Sequence, residues 1–564
     1  MSAHLSAAGC TVSPVLGQVS GICSSKGSLN MAIDYTALVP FFVLGGGVLV
    51  LLALAALLPK RLPYGPIWAG IATLAGTGTI VDGLVQWHNT TGLTIGNQGN
   101  ATGPLALGGQ LFYDQLGAFF CVLFGSATVL GAWISHAYLT RENLDGPEPY
   151  ILMLSCSTGA VLMAEAAGFI TLFLGLEILS ISLYTLTAYH RRRTASGEAG
   201  LKYFILGSFA SAIFIYGVAL IYGAVGSTLY YGAIDMLVTS QIIHNGVLLA
   251  GIGLVIVGLA FKVSAAPFHF WSPDVYQGAP TPFVGYMAAV AKAAGFAALL
   301  RVLLLAVNTQ QADWRPIIWV LAVASVLVGS VLALVQADIK RLLAYSSISQ
   351  AGYVLIALQA GSTYSLSAVC FYVFTYTFMV IGTFAIVGVV QGRGEARNDL
   401  SSLRGLASRQ PWLAAAMLVL LLAQAGIPLT SGFLGKWVVI SAAVQKGQYA
   451  LALIGMLSAA IVAFAYLRLA LIMYMSPEPN ASQPAAAGAS DAAYGGGDVS
   501  DLPEVVTAGL AARDSALALR PPPTARLRVP APVSATVAVC VAFTIFAGVS
   551  TPVLSWAHSI ALPW

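Results

Sequence analysis

Long apolar runs separated by short polar stretches occupy most of this chain. They fall at 35–58, 66–86, 112–137, 149–166, 168–189, 200–223, 247–271, 281–307, 315–336, 339–360, 364–390, 411–444, 448–474 and 532–557, fourteen in all. A helix needs roughly 20 apolar residues to cross a hydrocarbon layer, and the runs are of that order. Two depart from a simple span. The run 247–271 contains Pro267, and 411–444 is too long for one straight helix and contains Gly426 and Pro428. Proline inside a helix removes one backbone donor and clashes with the preceding turn, so both runs predict broken helices. Pro267 deprives the Val263 carbonyl of its donor, and Pro428 does the same to Gln424. Freed backbone at membrane depth is tolerated where it lines a hydrated cavity or is buried in protein.

The two breaks are five segments apart, and each follows three ordinary spans in a block of five, segments four to eight and nine to thirteen. An odd block length inverts the second copy relative to the first, a transporter design. Spacing carries this repeat, since "FKVSAAPFHFW" and "AGIPLTSGFLGKW" are only weakly alike. The expected fold is an all-α polytopic membrane protein with two inverted five-helix repeats. Its parts are a polar extension (1–30), three helices (31–148), the first repeat (149–308), the second (309–474), a flexible loop rich in Ala, Gly, Pro and Ser (475–530), and a last helix (531–564).

Composition agrees. The chain is 58% hydrophobic and 8% charged, against about 25% charged in soluble domains, which excludes a soluble protein with a single anchor. The net charge of +4 is too small, once located, to point to nucleic acid. Loops after odd-numbered segments hold Lys60, Arg61, Arg141, Arg191, Arg192, Arg193, Lys340, Arg341, Arg393, Arg397, Arg404, Arg409, Arg513, Arg520, Arg526 and Arg528. The amino terminus and alternate loops hold only Lys26, Arg315 and Lys446. Basic loops stay in the cytoplasm, so both termini are expected outside it. The first thirty residues lack the apolar core of a signal peptide. The six cysteines form no CxxC pair, which argues against an iron–sulfur or zinc site; Cys121, Cys156, Cys370 and Cys540 lie in apolar segments and are expected to pack there.

The informative residues are charges within spans. Glu177 lies near the middle of segment five, Lys262 in segment seven five residues before Pro267, Lys292 near the middle of segment eight, and Lys436 eight residues after Pro428. A charge at the bilayer centre costs roughly 2.5–3.5 kcal/mol on the insertion scale, and such groups mark ion and proton paths. Burial disfavours the charged form of Lys or Glu, while pairing favours both charges. A lysine that pairs and unpairs with a carboxylate is therefore a proton switch, which gives Glu177 a reason to be there. His269, seven residues after Lys262, is a candidate relay. Arg301 and Arg468, nearer helix ends, are expected to snorkel to the interface. Lys202 follows Glu198 by four residues, the spacing of a surface ion pair.

Four stretches together, "LFLGLEILSISLYTLTAYHRRRTASGEAGLKYFILGSFASA", "FKVSAAPFHFWSPDVYQGAPTPFVGYMAAVAKAAGFAALLR", "DIKRLLAYSSISQAGY" and "AGIPLTSGFLGKW", resemble the antiporter-like membrane subunits of respiratory complex I, the bacterial NADH-quinone oxidoreductase. The resemblance runs from about 32 to 474 and over the last helix; the lysine in "GFLGKW" and the lack of a long carboxy-terminal lateral helix favour the N-type branch over the L and M paralogues. It implies roles in proton translocation for Glu177, Lys262, Lys292 and Lys436, and raises Lys202 to a sixth-helix proton-path lysine. It also implies that NADH, FMN, iron–sulfur clusters and quinone belong to partner subunits, with antiporter-like paralogues and small membrane subunits as neighbours. The alternatives are a subunit of a multisubunit sodium/proton antiporter, a stand-alone inverted-repeat solute transporter, and an inert structural spacer.

Overall fold

Hydrocarbon offers the backbone no hydrogen-bond partner, so an apolar run satisfies its own peptide groups as a helix. The structure is a computed structural model that describes residues 35–58, 64–91, 105–239, 246–395, 397–475 and 527–560. In chain order its helices are α1 (Val39–Leu57), α2 (Gly65–Thr90), α3 (Gln115–Glu142), α4 (Glu148–Glu165), α5 (Phe169–Thr187), α6 (Thr194–Val225), α7 (Tyr230–Thr239), α8 (Gly246–Lys262), α9 (Trp271–Gly278), α10 (Thr281–Arg301), α11 (Gln311–Leu334), α12 (Ile339–Ala360), α13 (Thr363–Gln391), α14 (Leu406–Arg409), α15 (Pro411–Ala425), α16 (Ser431–Gln445), α17 (Tyr449–Met475), α18 (Ala531–Val549) and α19 (Pro552–His558). Among the described residues, ten helical stretches are long and apolar enough to cross a membrane. Helices α4 and α12, with the broken pairs α8–α9 and α15–α16, supply the other expected segments.

Both breaks fall where proline predicts them, and each is the fourth segment of its block. One local expectation needs correction, and one further element appears. The run read as one helix over 532–557 is cut after Val549, and α19 restarts at Pro552, because proline fits a first helical turn but cannot continue a helix. Helix α7 occupies a stretch between segments six and seven that carries no spanning run. The extension 1–30 with Cys10 and Cys23, the loop residues Lys60 and Arg61, and residues 476–526 lie outside the described residues.

The core sits on three helices. Every residue of α10 is buried, as is every residue of α12 except Arg341, and α13 is buried over most of its length. A helix apolar on all sides belongs inside a bundle. The outer helices turn large apolar side chains outward, among them Phe42 and Leu49 on α1 and Phe204, Phe209 and Tyr216 on α6. Glycine sets one close approach. A Cβ on Gly159 of α4 would lie 2.6 Å from the Gly175 carbonyl oxygen of α5; small residues let membrane helices meet this closely, and here they fix the helix that carries Glu177.

An ionic clasp closes one end of the bundle. Glu395, just after α13, accepts from Lys340 at 2.7 Å, from Arg193 at 2.8 Å and from the Thr281 amide at 2.7 Å. Glu142, near the end of α3, accepts from the Gly394 amide at 3.0 Å. Burial alone would raise the Glu395 carboxyl, but the Lys340 and Arg193 charges outweigh it and bring it from 4.5 down to about 2. A depressed carboxyl stabilises the fold above its unfolded value and loses that contribution as pH falls through the folded one. Thermal stability of the purified protein should therefore fall between about pH 4.5 and about pH 2. Glu395→Gln should be less stable at neutral pH and lack that acid-dependent component. An acid profile identical in the variant would remove Glu395 as its source.

Candidate functional site

At the first break, α8 ends on Lys262 and the chain turns through residues 263–270 before α9. The turn is satisfied by neighbours. The Ala265 amide donates to the Ala260 carbonyl at 2.8 Å, the Trp271 indole to the Phe261 carbonyl at 2.9 Å, and the Ala266 amide to Ser325 Oγ at 2.9 Å. Lys262, 3% exposed, donates from Nζ to Ser180 Oγ at 2.7 Å, and Ser180 donates to the Leu176 carbonyl. The rings of Tyr203 and Tyr184 lie 5.8 and 6.0 Å from the ammonium. Glu177 lies one turn before Ser180; it is half-buried, and its Oε1 is buried with no partner. The structure therefore shows Lys262 unpaired from Glu177, with Ser180 holding the ammonium on the same helix that carries the carboxylate.

Lys292, on the fully buried α10, donates to the Ser347 carbonyl of α12 at 2.5 Å. At the second break Lys436 donates to the Gln424 carbonyl at 3.0 Å and to the Ala425 carbonyl at 2.8 Å. The Gln424 carbonyl is the one freed by Pro428. Gly426 makes room: its φ is +90°, and a Cβ there would lie 2.8 Å from Lys436 Cδ. The Tyr353 ring lies 4.8 Å from the Lys436 ammonium. None of these three lysines has a carboxylate within ion-pair distance among the described residues.

Neutral polar side chains lie beside Lys292 and Lys436, several of them on α12. Ser346, Ser347, Gln350 and Tyr353 share one face at helical spacing. Ser346 hydrogen-bonds Tyr466, and Tyr372 donates to Gln350. Gln350 donates to the Gln424 carbonyl at 3.1 Å, so one oxygen joins α12 to Lys436. Tyr276 lies 3.4 Å from Ser347 Oγ. The polar run in "AYSSISQAGY" is the only local sequence signal of this face; which partners it meets depends on the packing of α10, α15 and α17.

The remaining candidates lie elsewhere. Lys202, 44% exposed, pairs with Glu198 at 2.7 Å and with Asp274 at 3.3 Å. Asp274 also pairs with Arg341 at 2.6 Å. His269 has a buried Nδ1 with no partner, its ring 6.5 Å from Tyr345, and no hydrogen bond joins it to Lys262 among the described residues. Arg468 donates to the Leu334 carbonyl at the end of α11. Arg301 corrects an expectation. It does not snorkel but is fully buried, bidentate on Asp114 at 2.5 and 2.7 Å, with Nε on the Ala164 carbonyl at 2.8 Å. An arginine near a helix end turns inward when a carboxylate awaits it.

The profile of the family described as NADH:quinone oxidoreductase/Mrp antiporter, TM, matches residues 166–462. NADH-quinone oxidoreductase subunit N of Trichlorobacter lovleyi is 38% identical over 449 residues, 80% of this chain and 89% of that one. The subunit N of Salinispora arenicola is 42% identical over 475 residues, 80% of this chain and 91% of that one. The chain belongs to the NADH-quinone oxidoreductase subunit N family. A chain of respiratory complex I from Thermus thermophilus with bound aureothin superposes with a TM-score of 0.69 at 30% identity, covering 90% of this subunit N family member and 97% of that chain. A chain of the Mrp complex from Dietzia sp. DQ12-45-1b superposes with a TM-score of 0.74 at 20% identity, covering 93% and 97%, which is a likeness of fold. Glu177, Lys202, Lys262, His269, Lys292 and Lys436 all fall inside the segment matched by the family profile.

Proposed function

We propose that this chain is a proton-translocating membrane subunit of an NADH:quinone oxidoreductase, and that Lys262, Lys292 and Lys436 carry the protons. One observation carries the residue assignment: three buried lysines each rest on a neutral oxygen rather than on a carboxylate. A lysine locked to a carboxylate keeps its proton, whereas one held by hydroxyls and carbonyls in a dry interior can give it up. Protons reach Lys262 or Lys202 from the cytoplasmic end, pass along the membrane plane to Lys292 by the polar face of α12, and arrive at Lys436. His269 is a side relay at the first break. Glu177 acts as the switch: as Lys262 Nζ swings from Ser180 to the carboxylate one turn away, its proton is held, and as it swings back the proton is released.

Supporting the wider setting, identities of 38% and 42% to subunit N chains, against 20% to the Mrp-complex chain, favour this reading over a sodium/proton antiporter. NADH, FMN, iron–sulfur clusters and quinone are assigned to partner subunits. The outward apolar faces of α1 and α6 suit lipid and neighbouring membrane subunits, both small ones and antiporter-like paralogues. The basic loops favour a bacterial plasma membrane with both termini outside, and the two five-segment blocks favour repeats at 149–308 and 309–474.

The switch is tested in vesicles holding the whole complex, by quinone-coupled proton uptake with assembly checked separately. Glu177→Gln keeps the side chain's size and removes its charge, so uptake should fall several-fold. Glu177→Asp should retain more, since the charge survives with a shorter reach. Lys262→Arg should fail as well, because guanidinium hardly deprotonates in a protein. Wild-type uptake by an assembled Glu177→Gln complex would make the glutamate structural.

A further inference from the structure

At the bundle end opposite Glu395, helices α2, α3 and α4 enclose ionisable groups that the lysine line does not use. Glu165, the last residue of α4, is 1% exposed. Its Oε1 accepts from Cys121 Sγ at 3.4 Å, while its Oε2 is buried with no partner. Arg301 lies within electrostatic reach, but its guanidinium is committed to both oxygens of Asp114 and to the Ala164 carbonyl. Glu165 therefore has no cation of its own. A carboxylate buried without a counter-charge is far costlier than the neutral acid.

Helix α2 adds two more unpartnered groups. Asp82 and Gln86 are one turn apart, on either side of Gly83. A Cβ on Gly83 would lie 2.8 Å from the Ala118 carbonyl oxygen and 3.0 Å from Cys121 Cβ. This stripe of α2 is thus pressed against the part of α3 that touches Glu165. Gln86 is 2% exposed with Nε2 unpartnered. Asp82 is partly exposed, with a buried, unpartnered Oδ2. A buried carboxyl, a buried amide with a free donor and a partly exposed carboxyl thus gather at the α2–α3 contact. Asp82 and Glu165 both precede residue 166, where the family profile begins its match.

We propose that Glu165 is a proton-holding station off the lysine line, exchanging its proton with the surface through Gln86 and Asp82. This rests on the reading that the chain moves protons. In the outward step Glu165 gives up its proton and becomes a carboxylate, Asp82 takes the proton and becomes the acid, and Asp82 then passes it to water reaching its exposed side. Asp114 and Arg301 neutralise one another beside the site. Cys121 donates to the Glu165 oxygen in either state.

The test is attenuated-total-reflection infrared spectroscopy of the intact complex in vesicles, in water and in heavy water, at neutral pH. Wild type should show the carbonyl band of a protonated carboxyl, and Glu165→Gln should lose it. The band should shift on exchange into heavy water, and Asp82→Asn should keep the band but slow that shift. Cys121→Ala removes the thiol donor and should move the band's frequency, which identifies Glu165 even if Glu165→Gln does not assemble. No band lost in Glu165→Gln, or none moved in Cys121→Ala, overturns the station. A deuterium shift equally fast in Asp82→Asn overturns the route. Proton uptake by wild-type vesicles is read in parallel; its absence would refute the proposed function whatever the band does.

Discussion

An assembled complex carrying Lys292→Met is expected to lose the share of proton uptake that passes through this chain. Lys292 lies between the two breaks, on a helix with no exposed residue, and its ammonium rests on the Ser347 carbonyl. Methionine is unbranched and of similar length, and volume-conserving core swaps usually cost less than about 1.5 kcal/mol, so the bundle should persist. What disappears is the group proposed to accept and pass on a proton. Positioned acid–base groups contribute roughly 10²–10⁴-fold, so transfer between the halves should drop by about 100-fold or more. Lys292→Arg should fail too, for the opposite reason: it keeps a proton it cannot release. Lys292→His, whose charge changes near neutral pH, should recover part of the flow. The measurement is proton uptake per quinone reduced in vesicles, with assembly scored on native gels. Wild-type uptake by the methionine variant would place the path elsewhere.

The second large effect is structural. Asp114→Asn should strongly destabilise the protein, because it strands the buried Arg301 guanidinium without its counter-charge. Removing one partner of a buried pair costs about 3–5 kcal/mol, whereas replacing both by apolar groups is often neutral or better. Asp114→Asn should therefore melt well below wild type and accumulate poorly, and the double variant Asp114→Leu with Arg301→Met should recover most of the loss. The Phe112 ring, 4.5 Å from the guanidinium carbon, and the Ala164 carbonyl remain as neighbours of the apolar replacement. Thermal unfolding followed by tryptophan fluorescence distinguishes the two. A single variant as stable as wild type would mean that Arg301 finds another partner or water.

Local physics made much of this protein legible from its residues. A backbone in hydrocarbon must bond to itself, so apolar run length alone located the spans, and proline stereochemistry located both breaks. The same reasoning marked the Gln424 carbonyl as free, and the fold puts the Lys436 ammonium on it. Glu177, Lys262, Lys292 and Lys436 stand out because a charge in an apolar run is costly wherever the run packs.

Tertiary structure decided what each charge meets. Arg301 and Asp114 are 187 residues apart in the chain, so a position near a helix end could not distinguish an inward ion pair from snorkelling. Asp82 and Glu165 lie near the ends of their apolar runs, and only the packing against α3 shows that each has a buried, unpartnered oxygen. The hydroxyl and amide face of α12 acquires meaning only when α10, α15 and α17 bring lysines and carbonyls to it, and Ser180 stands out only when α8 lays Lys262 against α5. Helix formation and helix breaking are governed by contacts within a few residues, which a sequence displays directly. The pairing of buried polar groups is governed by how helices rotate and pack against one another, and that is fixed only when the whole core is assembled.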